Sequence, residues 1–171
     1  SSKIPEIAKK LKKISDYVFI DSAAGLGEEA RAAIKSADKI IIITNPEISA
    51  VTDALKTIKL SEEMGKEVIG AIITRHEGKK WEMEIPTIKD MLEVPILGLI
   101  PEDDAVKESQ RMKNAVIKTH PRSKAAKAYM RITKKILGPE FLKEEAKKMA
   151  KEEKTKKENG GFFSSLLRKL G

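Results

Sequence analysis

Asp21 closes a short apolar run, Tyr17, Val18, Phe19 and Ile20, and opens onto Ser22, Ala23, Ala24, Gly25, Leu26 and Gly27. A carboxylate at the end of a buried strand has the form of a Walker B segment. Packing fixes the strand, and the Asp can hold a magnesium-bound water beside phosphates. The small residues and two glycines that follow give a turn whose backbone N–H groups could sense a terminal phosphate. The same residues suit an ordinary strand-to-helix loop in which Asp21 caps the next helix, and residue type alone leaves both readings open. Three further polar groups follow apolar runs in the same way: Thr44, Asn45 and Pro46; Thr74 and Arg75; Pro101, Glu102 and Asp103. Together they offer a carboxylate, small residues, a guanidinium and an acidic turn, which is the equipment of a nucleotide site. No G-x-x-x-x-G-K-[ST] phosphate cradle occurs in the 171 residues, so the chain carries at most part of such a site.

These groups need a scaffold that brings them to one place. Residues 17–20, 40–43, 68–73 and 96–100 are nearly continuous apolar runs. Runs this short without polar alternation predict strands buried on both faces, as in a parallel sheet. Helical periodicity fills the intervals. Ile48, Val51, Leu55 and Ile58 define one helix face, with Asn45 expected as N-cap and Pro46 as first helical residue. Ile7, Leu11 and Ile14 predict a helix before the first strand, and Ala30, Ala33 and Ile34 one after it. Ile85, Ile88, Met91 and Leu92 predict a fourth, stopped by Val94-Pro95, and Pro121 to Leu137 a closing helix with Ala125, Ala128, Tyr129 and Ile132 inward. Alternation of this kind predicts an open, mainly parallel, doubly wound α/β sheet with helices on both faces. In such a sheet ligands bind beyond the carboxyl ends of the strands, so all four polar exits should converge on one rim.

Composition narrows the class. The chain is 40% hydrophobic and 35% charged, too apolar for a wholly disordered chain. Cysteine is absent, which removes disulfides and thiolate chemistry and suits a reducing cytoplasm. No run approaches the roughly 18 apolar residues of a membrane span, and no basic-then-apolar leader opens the chain. Lys and Arg number 34 against 26 Asp and Glu, a net charge of +8 that suits either an anionic partner or a solvated surface. His76 and His120 have no ligand-spaced partner and read as loop residues. Trp81, among charged neighbours, reads as packed partly against the fourth helix, and the six Met read as core filler.

The last fifth changes character. Residues 139–161 are rich in Lys and Glu and read as a charged helix or linker, broken at Gly160-Gly161. Residues 162–171 then place Phe162, Phe163, Leu166, Leu167 and Leu170 on one broad helical face, with Ser164, Ser165, Arg168 and Lys169 opposite. Aromatics at the acyl boundary and cations at anionic headgroups make this a membrane-targeting segment; packing back as a terminal core helix is the other reading. Five large side chains at about 1.5–3 kcal/mol each give substantial burial, and ordering a short helix opposes it at about 1–2 kcal/mol per residue. One copy therefore binds weakly, and two copies on a dimer gain avidity.

The order of these motifs resembles one family. Residues 16–27, around Asp21-Ser22-Ala23-Ala24-Gly25, are similar to the Asp-Ser-Pro-Ala-Gly segment of the MinD branch of the ParA/MinD deviant Walker A ATPases, with Ala23 where that family has Pro. Thr44-Asn45-Pro46-Glu47-Ile48-Ser49 resembles its Thr-Asn-Pro-Glu stretch, Thr74-Arg75 its Asn-Arg or Thr-Arg pair, and Gly98 to Asp103 its Gly-Val-Ile-Pro-Glu-Asp. The likeness covers about residues 4 to 138.

The resemblance implies an ATP-dependent homodimer of doubly wound fold that uses ATP and Mg2+. Asp21 would place magnesium through water, and Ser22 and Gly25 would belong to the catalytic switch that senses γ-phosphate. Asn45, Thr74, Arg75, Pro101, Glu102 and Asp103 would bind the nucleotide, the purine side above all. It also implies a P-loop, signature Lys and catalytic Asp before Ser1. A chain that opens Ser1-Ser2-Lys3 without Met reads as truncated there, and as written should not hydrolyse ATP.

The expected division is residues 1–138 as the C-terminal part of a MinD-type ATPase domain, 139–161 as linker and 162–171 as membrane anchor. The expected function is a division-site or positioning ATPase, cytoplasmic and peripheral on the inner face of the cell membrane, with an activating or cargo protein as partner. The alternatives are a ParA-like partition ATPase that binds DNA phosphates without sequence preference, and a non-catalytic membrane adaptor.

Overall fold

The structure is a computed structural model that describes residues 3–22 and 25–138. The chain divides into two compact units, Ser1–Tyr129 and Met130–Gly171; the sheet and the rim at its carboxyl ends belong to the first. Three apolar runs form strands, β1 (Lys39–Thr44), β2 (Glu67–His76) and β3 (Ile96–Pro101). They pair in parallel in the order β1-β2-β3. β2 is central, and its Gly70 to Ile73 are buried, which is why that run lacks polar alternation.

Helices α1 (Ile4–Leu11) and α2 (Glu28–Ser36) precede β1; α3 (Ile48–Glu63) links β1 to β2, and α4 (Ile85–Leu92) links β2 to β3. After β3 come α5 (Asp104–Arg111), α6 (Val116–Thr119) and α7 (Lys124–Leu137). Val51, Ala54 and Ile58 of α3 and Ile88 and Leu92 of α4 close over Ile42, Ala71 and Ile73 as one core cluster. Ile58, Ile73, Ile88 and Leu92 are fully buried, each worth about 1.5–3 kcal/mol relative to exposure. Ile72, between Ala71 and Ile73, is buried too; alternate strand residues point to opposite faces, so β2 is covered on both sides.

Chain ends of the helices are closed locally. At the end of α3 the N–H of Gly65 bonds Glu62 O and that of Lys66 bonds Ser61 O, both at 2.9 Å, a Schellman turn with Gly65 at φ 70°. Lys66 Nζ then donates to Lys35 O and Ala37 O at 2.9 Å, satisfying carbonyls at the end of α2.

Several expectations are corrected. Residues 17–20 form no strand, and Phe19 is 77% exposed. An apolar run becomes a strand only where a neighbour completes its ladder, and residues 17–20 join no ladder of the described sheet. Ile14 lies outside α1 and is exposed, as are Ile7 and Leu11; Ala8 is the residue of that helix that is buried.

The third helix begins at Ile48, with Glu47 rather than Asn45 at the cap position and no side-chain cap. Pro46 lies before the helix, where its carbonyl accepts the Met83 N–H at 3.0 Å. On α7, Ala125 and Ala128 are buried as the periodicity required, with Ala126 in addition, and Tyr129 is exposed. Met112 and Met130 are likewise exposed rather than core filler. Residues 139–171, which hold the linker and the amphipathic tail, lie outside the described residues, as do Ala23 and Ala24. No helix among the described residues is long and apolar enough to cross a membrane.

Candidate functional site

Parallel pairing brings the carboxyl ends of β1, β2 and β3 to one rim. Thr44 ends β1, Thr74 and Arg75 are among the last residues of β2, and Pro101 ends β3. The hydroxyl of Thr74 donates to Thr44 O at 3.2 Å, tying the first two exits together. Asn45 donates its amide to Glu47 Oε1 at 2.8 Å, while its Oδ1 is buried with no partner. A buried acceptor without a donor is costly by about 1–3 kcal/mol, so this oxygen is a polar group that the described residues leave unsatisfied.

Arg75 sits at a break in the ladder. The register between β2 and β3 shifts between Ile73 and His76, and Arg75 takes a left-handed φ of 58°. A bulge of this kind re-aims one side chain at the end of a strand, and here it brings Arg75 Nε to 3.4 Å from Glu102 Oε2. The other oxygen of Glu102 accepts from Lys107 Nζ at 3.0 Å. Lys107 lies four residues past the cap residue Asp103, and helix side chains lean toward the N-terminus, so it reaches back over the turn. Its ammonium pKa is raised, chiefly by the hydrogen bond it donates to Glu102 and then by the one to Asp104. The N–H of Glu102 bonds His76 O at 3.1 Å, so the turn after β3 is pinned by backbone and side chain alike.

Asp103 is occupied on both oxygens. Oδ1 accepts the N–H of Ala105 at 3.0 Å and Oδ2 that of Ala125 at 2.9 Å, so one carboxylate caps α5 and α7 together. Those N–H groups, Ala125 first, hold its pKa below the ordinary value. The side chain positions the turn and is committed to backbone.

His76 is not a loop residue: it ends β2, with Nδ1 2.7 Å from Glu82 Oε2. Glu82 also accepts the N–H of Glu77 at 2.7 Å and of Gly78 at 3.0 Å. Burial pushes its carboxyl pKa up, but these donors outweigh burial and hold it down. With Glu82 turned inward as the loop's anchor, its neighbour Trp81 turns out. Trp81 is 77% exposed, not packed against α4, with Lys79 Nζ 5.8 Å from its ring centre. His120 likewise has partners: its Nε2 is 3.2 Å from Glu108 Oε2, and its Nδ1 is 3.3 Å from the buried Ser109 hydroxyl.

An open hollow of about 580 Å³ lies at this rim, lined by Arg75, His76, Glu77, Lys79, Pro101, Glu102, Lys107 and Lys124. Four cations against two carboxylates suit an anionic ligand, and Arg75 beside Pro101 offers flat surfaces to a planar base. Of the residues that line it, Arg75, Pro101 and Glu102 are among those the sequence pattern singled out, and Lys79, Lys107 and Lys124 are not. The signal for Lys107 was present in Asp103 as an N-cap, which fixes the phase of the helix behind it.

Asp21 and Ser22 are exposed and lie in no regular element, so the first of the four exits is not a strand exit. Among the described residues, no hydrogen bond or ion pair joins Asp21 to Arg75 or Glu102. Gly25 has φ 106°, a conformation that favours glycine, and it precedes α2, whose N-cap is Gly27.

Comparison with known proteins gives a consistent picture. The family model described as "ParA: NUBPL iron-transfer P-loop NTPase" matches residues 9–137. A protein of Methanocaldococcus jannaschii named as ATP-binding is 34% identical over 168 residues, spanning 98% of this chain and 60% of its own length. The septum site-determining protein MinD of Bacillus subtilis is 36% identical over 140 residues, 79% of this chain and 52% of its own. The solved structure of MinD from Pyrococcus horikoshii, complexed with Mg-ADP, superposes with a TM-score of 0.74 at 33% identity, covering 78% of this chain and 55% of that one. The chain thus spans between half and three-fifths of the length of these relatives.

Proposed function

Because this chain belongs to the ParA family of P-loop NTPases, we propose that it is the purine-side and switch portion of a MinD-like ATPase that dimerises with ATP, cycles on the membrane and positions cell-division machinery. The observation that carries this reading is the ion pair between Arg75 and Glu102 at the mouth of the hollow. Arg75, Thr74 and the Pro101–Glu102 turn frame the base. Asn45 stands at the exit of β1 on the same rim, and Asp103 holds the turn in place. Asp21, Ser22 and Gly25 belong to the switch that meets the γ-phosphate.

Magnesium fits the residues present only in one way. Among the described residues no group of three His, Cys, Asp or Glu could hold a metal. An ion carried by the nucleotide's phosphates and touched through water by the single carboxylate of Asp21 needs no such group. The ion would neutralise phosphate charge as the terminal phosphoryl leaves. Hydrolysis requires a phosphate cradle of the G-x-x-x-x-G-K-[ST] kind, which these 171 residues do not contain, and is proposed for a protein that includes one.

Residues 1–138 serve as the ATPase portion, 139–161 as a charged spacer and 162–171 as the anchor. Phe162, Phe163, Leu166, Leu167 and Leu170 face the acyl chains, and Arg168 and Lys169 face the headgroups. Dimerisation places two anchors on one surface and supplies the affinity that one lacks. An activating or cargo protein reads the membrane-bound state.

Two measurements on the intact protein test this. Arg75→Ala should weaken ATP and ADP binding by about ten- to a hundredfold in calorimetry, the value of a charged hydrogen bond; unchanged affinity overturns the purine site. Sedimentation with anionic vesicles should be stronger with ATP than with ADP and abolished by Phe163→Asp. Undiminished sedimentation of that variant overturns the anchor.

A further inference from the structure

The positive charge of this protein is not spread over its surface. Between Arg111 and Lys135 there are nine Lys and Arg residues and no Asp or Glu, while the remaining residues hold 25 basic side chains against 26 acidic ones. The whole net charge of +8 therefore sits in this stretch. Within the first unit it comprises Arg111, Lys113, Lys118, Arg122, Lys124 and Lys127, all exposed. None of the six is in an ion pair among the described residues, although surface pairs form elsewhere, as at Lys12–Asp38 and Lys59–Glu93.

The segment that carries them is folded tightly on itself. Ser109 bonds the Thr119 hydroxyl at 2.5 Å, His120 reaches back to Glu108, and Asp103 caps both α5 and α7. The cations thus stand on a stretch of backbone tied together at several points.

Lys113 gives a second, independent observation. The turn after α5 repeats the one after α3: the N–H of Lys113 bonds Gln110 O at 2.9 Å and that of Asn114 bonds Ser109 O at 3.0 Å. In α3 the left-handed position of this turn is Gly65; in α5 it is Lys113, at φ 51°. Such a position favours glycine, and here it holds a lysine whose side chain is exposed. Met112, 56% exposed, and Ile117, 42% exposed, lie among the cations.

We propose that the corner formed by the end of α5, α6 and the start of α7 is a second contact with an anionic lipid surface, in addition to the tail; this rests on the membrane reading above. Cations near a bilayer gain from its negative surface potential, and Met112 and Ile117 gain from the acyl boundary. A nucleic-acid backbone offers phosphates to the cations but nothing to those two apolar side chains.

The test uses the intact protein with ATP and vesicles of phosphatidylglycerol and phosphatidylcholine in equal parts. The variant is Lys113→Gly with Lys118→Gln and Arg122→Gln. Lys113→Gly suits its backbone, so that change alone should leave the melting temperature unchanged or raised, which separates charge from folding. Each cation is worth roughly fivefold near an anionic surface, so the triple variant should bind the vesicles at least about tenfold more weakly. The loss should shrink at high salt.

Binding equal to wild type overturns the corner as a lipid contact, whatever the tail does. The tail is judged separately by Phe163→Asp, so the two can fail independently. If the triple variant loses binding to duplex DNA while keeping its vesicle affinity, the surface is a nucleic-acid surface and the lipid proposal falls.

Discussion

Oδ2 of Asp103 accepts the backbone N–H of Ala125 at 2.9 Å, across 22 positions of sequence, while Oδ1 holds the N–H of Ala105. One carboxylate thereby fixes the start of α5 and of α7, and with them the Pro101–Glu102 turn beside Arg75. An Asn in its place keeps one acceptor but turns an amide N–H2 toward a backbone donor. Asp103→Asn should therefore lower stability by roughly 1–2 kcal/mol in chemical denaturation and speed hydrogen exchange at the Ala125 amide.

The same bonds predict a pH dependence. The N–H groups of Ala125 and Ala105 hold the Asp103 pKa below its ordinary value. Its stabilising contribution is therefore complete above the unfolded value of about 3.9 and lost as pH falls through the lower folded value. Thermal midpoints measured below about pH 4 should fall less steeply for Asp103→Asn than for wild type. Parallel curves would show that this carboxylate does not couple folding to protons.

Glu82 does for the 77–83 loop what Asp103 does for the turn. It gathers the N–H groups of Glu77 and Gly78 and the His76 ring around a nearly buried carboxylate. Glu82→Ala strands two donors and should cost about 1–3 kcal/mol. It should also expose the loop to trypsin after Lys79 and Lys80. Cleavage at the wild-type rate would mean that other contacts fix the loop.

Sequence reading found what local pattern determines and missed what distant partners decide. The runs at 40–43, 68–73 and 96–100 became strands because each meets a neighbour in the sheet. Residues 17–20 have the same apolar character but no place in the described sheet, and character alone could not tell them apart. Ala30, Ala33 and Ile34 on α2 and Ile88 and Leu92 on α4 are buried as their spacing required. At the rim, Arg75, Pro101 and Glu102 were legible as strand exits. The second bond of Asp103 was not, because its donor lies 22 residues away. Nor was the outward turn of Trp81, which depends on the three bonds made by Glu82. The concentration of charge between Arg111 and Lys135 was fully present in the sequence but is hidden by a chain-wide total.

Gly70 is fixed by space and by backbone. Its φ is 147°, and a Cβ there would meet Pro95 O at 2.4 Å and Leu97 Cγ at 2.8 Å. Pro95 O already accepts the Ala71 N–H at 2.8 Å, so the crowding falls on the bond that aligns β3 with β2. Gly70→Ala should destabilise by roughly 1–3 kcal/mol and lower ligand affinity only through folding. Denaturant midpoints before and after the change decide it; equal midpoints would show that the strands can part without cost.

Trp81 offers an optical readout of the hollow. It is the single tryptophan of the chain, it is exposed, and Lys79, which lines the hollow, lies 5.8 Å from its ring. A nucleotide in the hollow draws the Lys79 ammonium toward its own charge and away from the ring, since a cation–π contact at an exposed site is worth only about 0.5–1 kcal/mol. Titration of the intact protein with ATP should therefore change Trp81 emission saturably. The midpoint should agree with calorimetry and move to higher concentration for Arg75→Ala. Trp81→Phe should abolish the signal and leave the affinity as it was. Calorimetric binding without any change in emission would place the nucleotide away from the Lys79 side of the rim and confine the site to the Asn45 side.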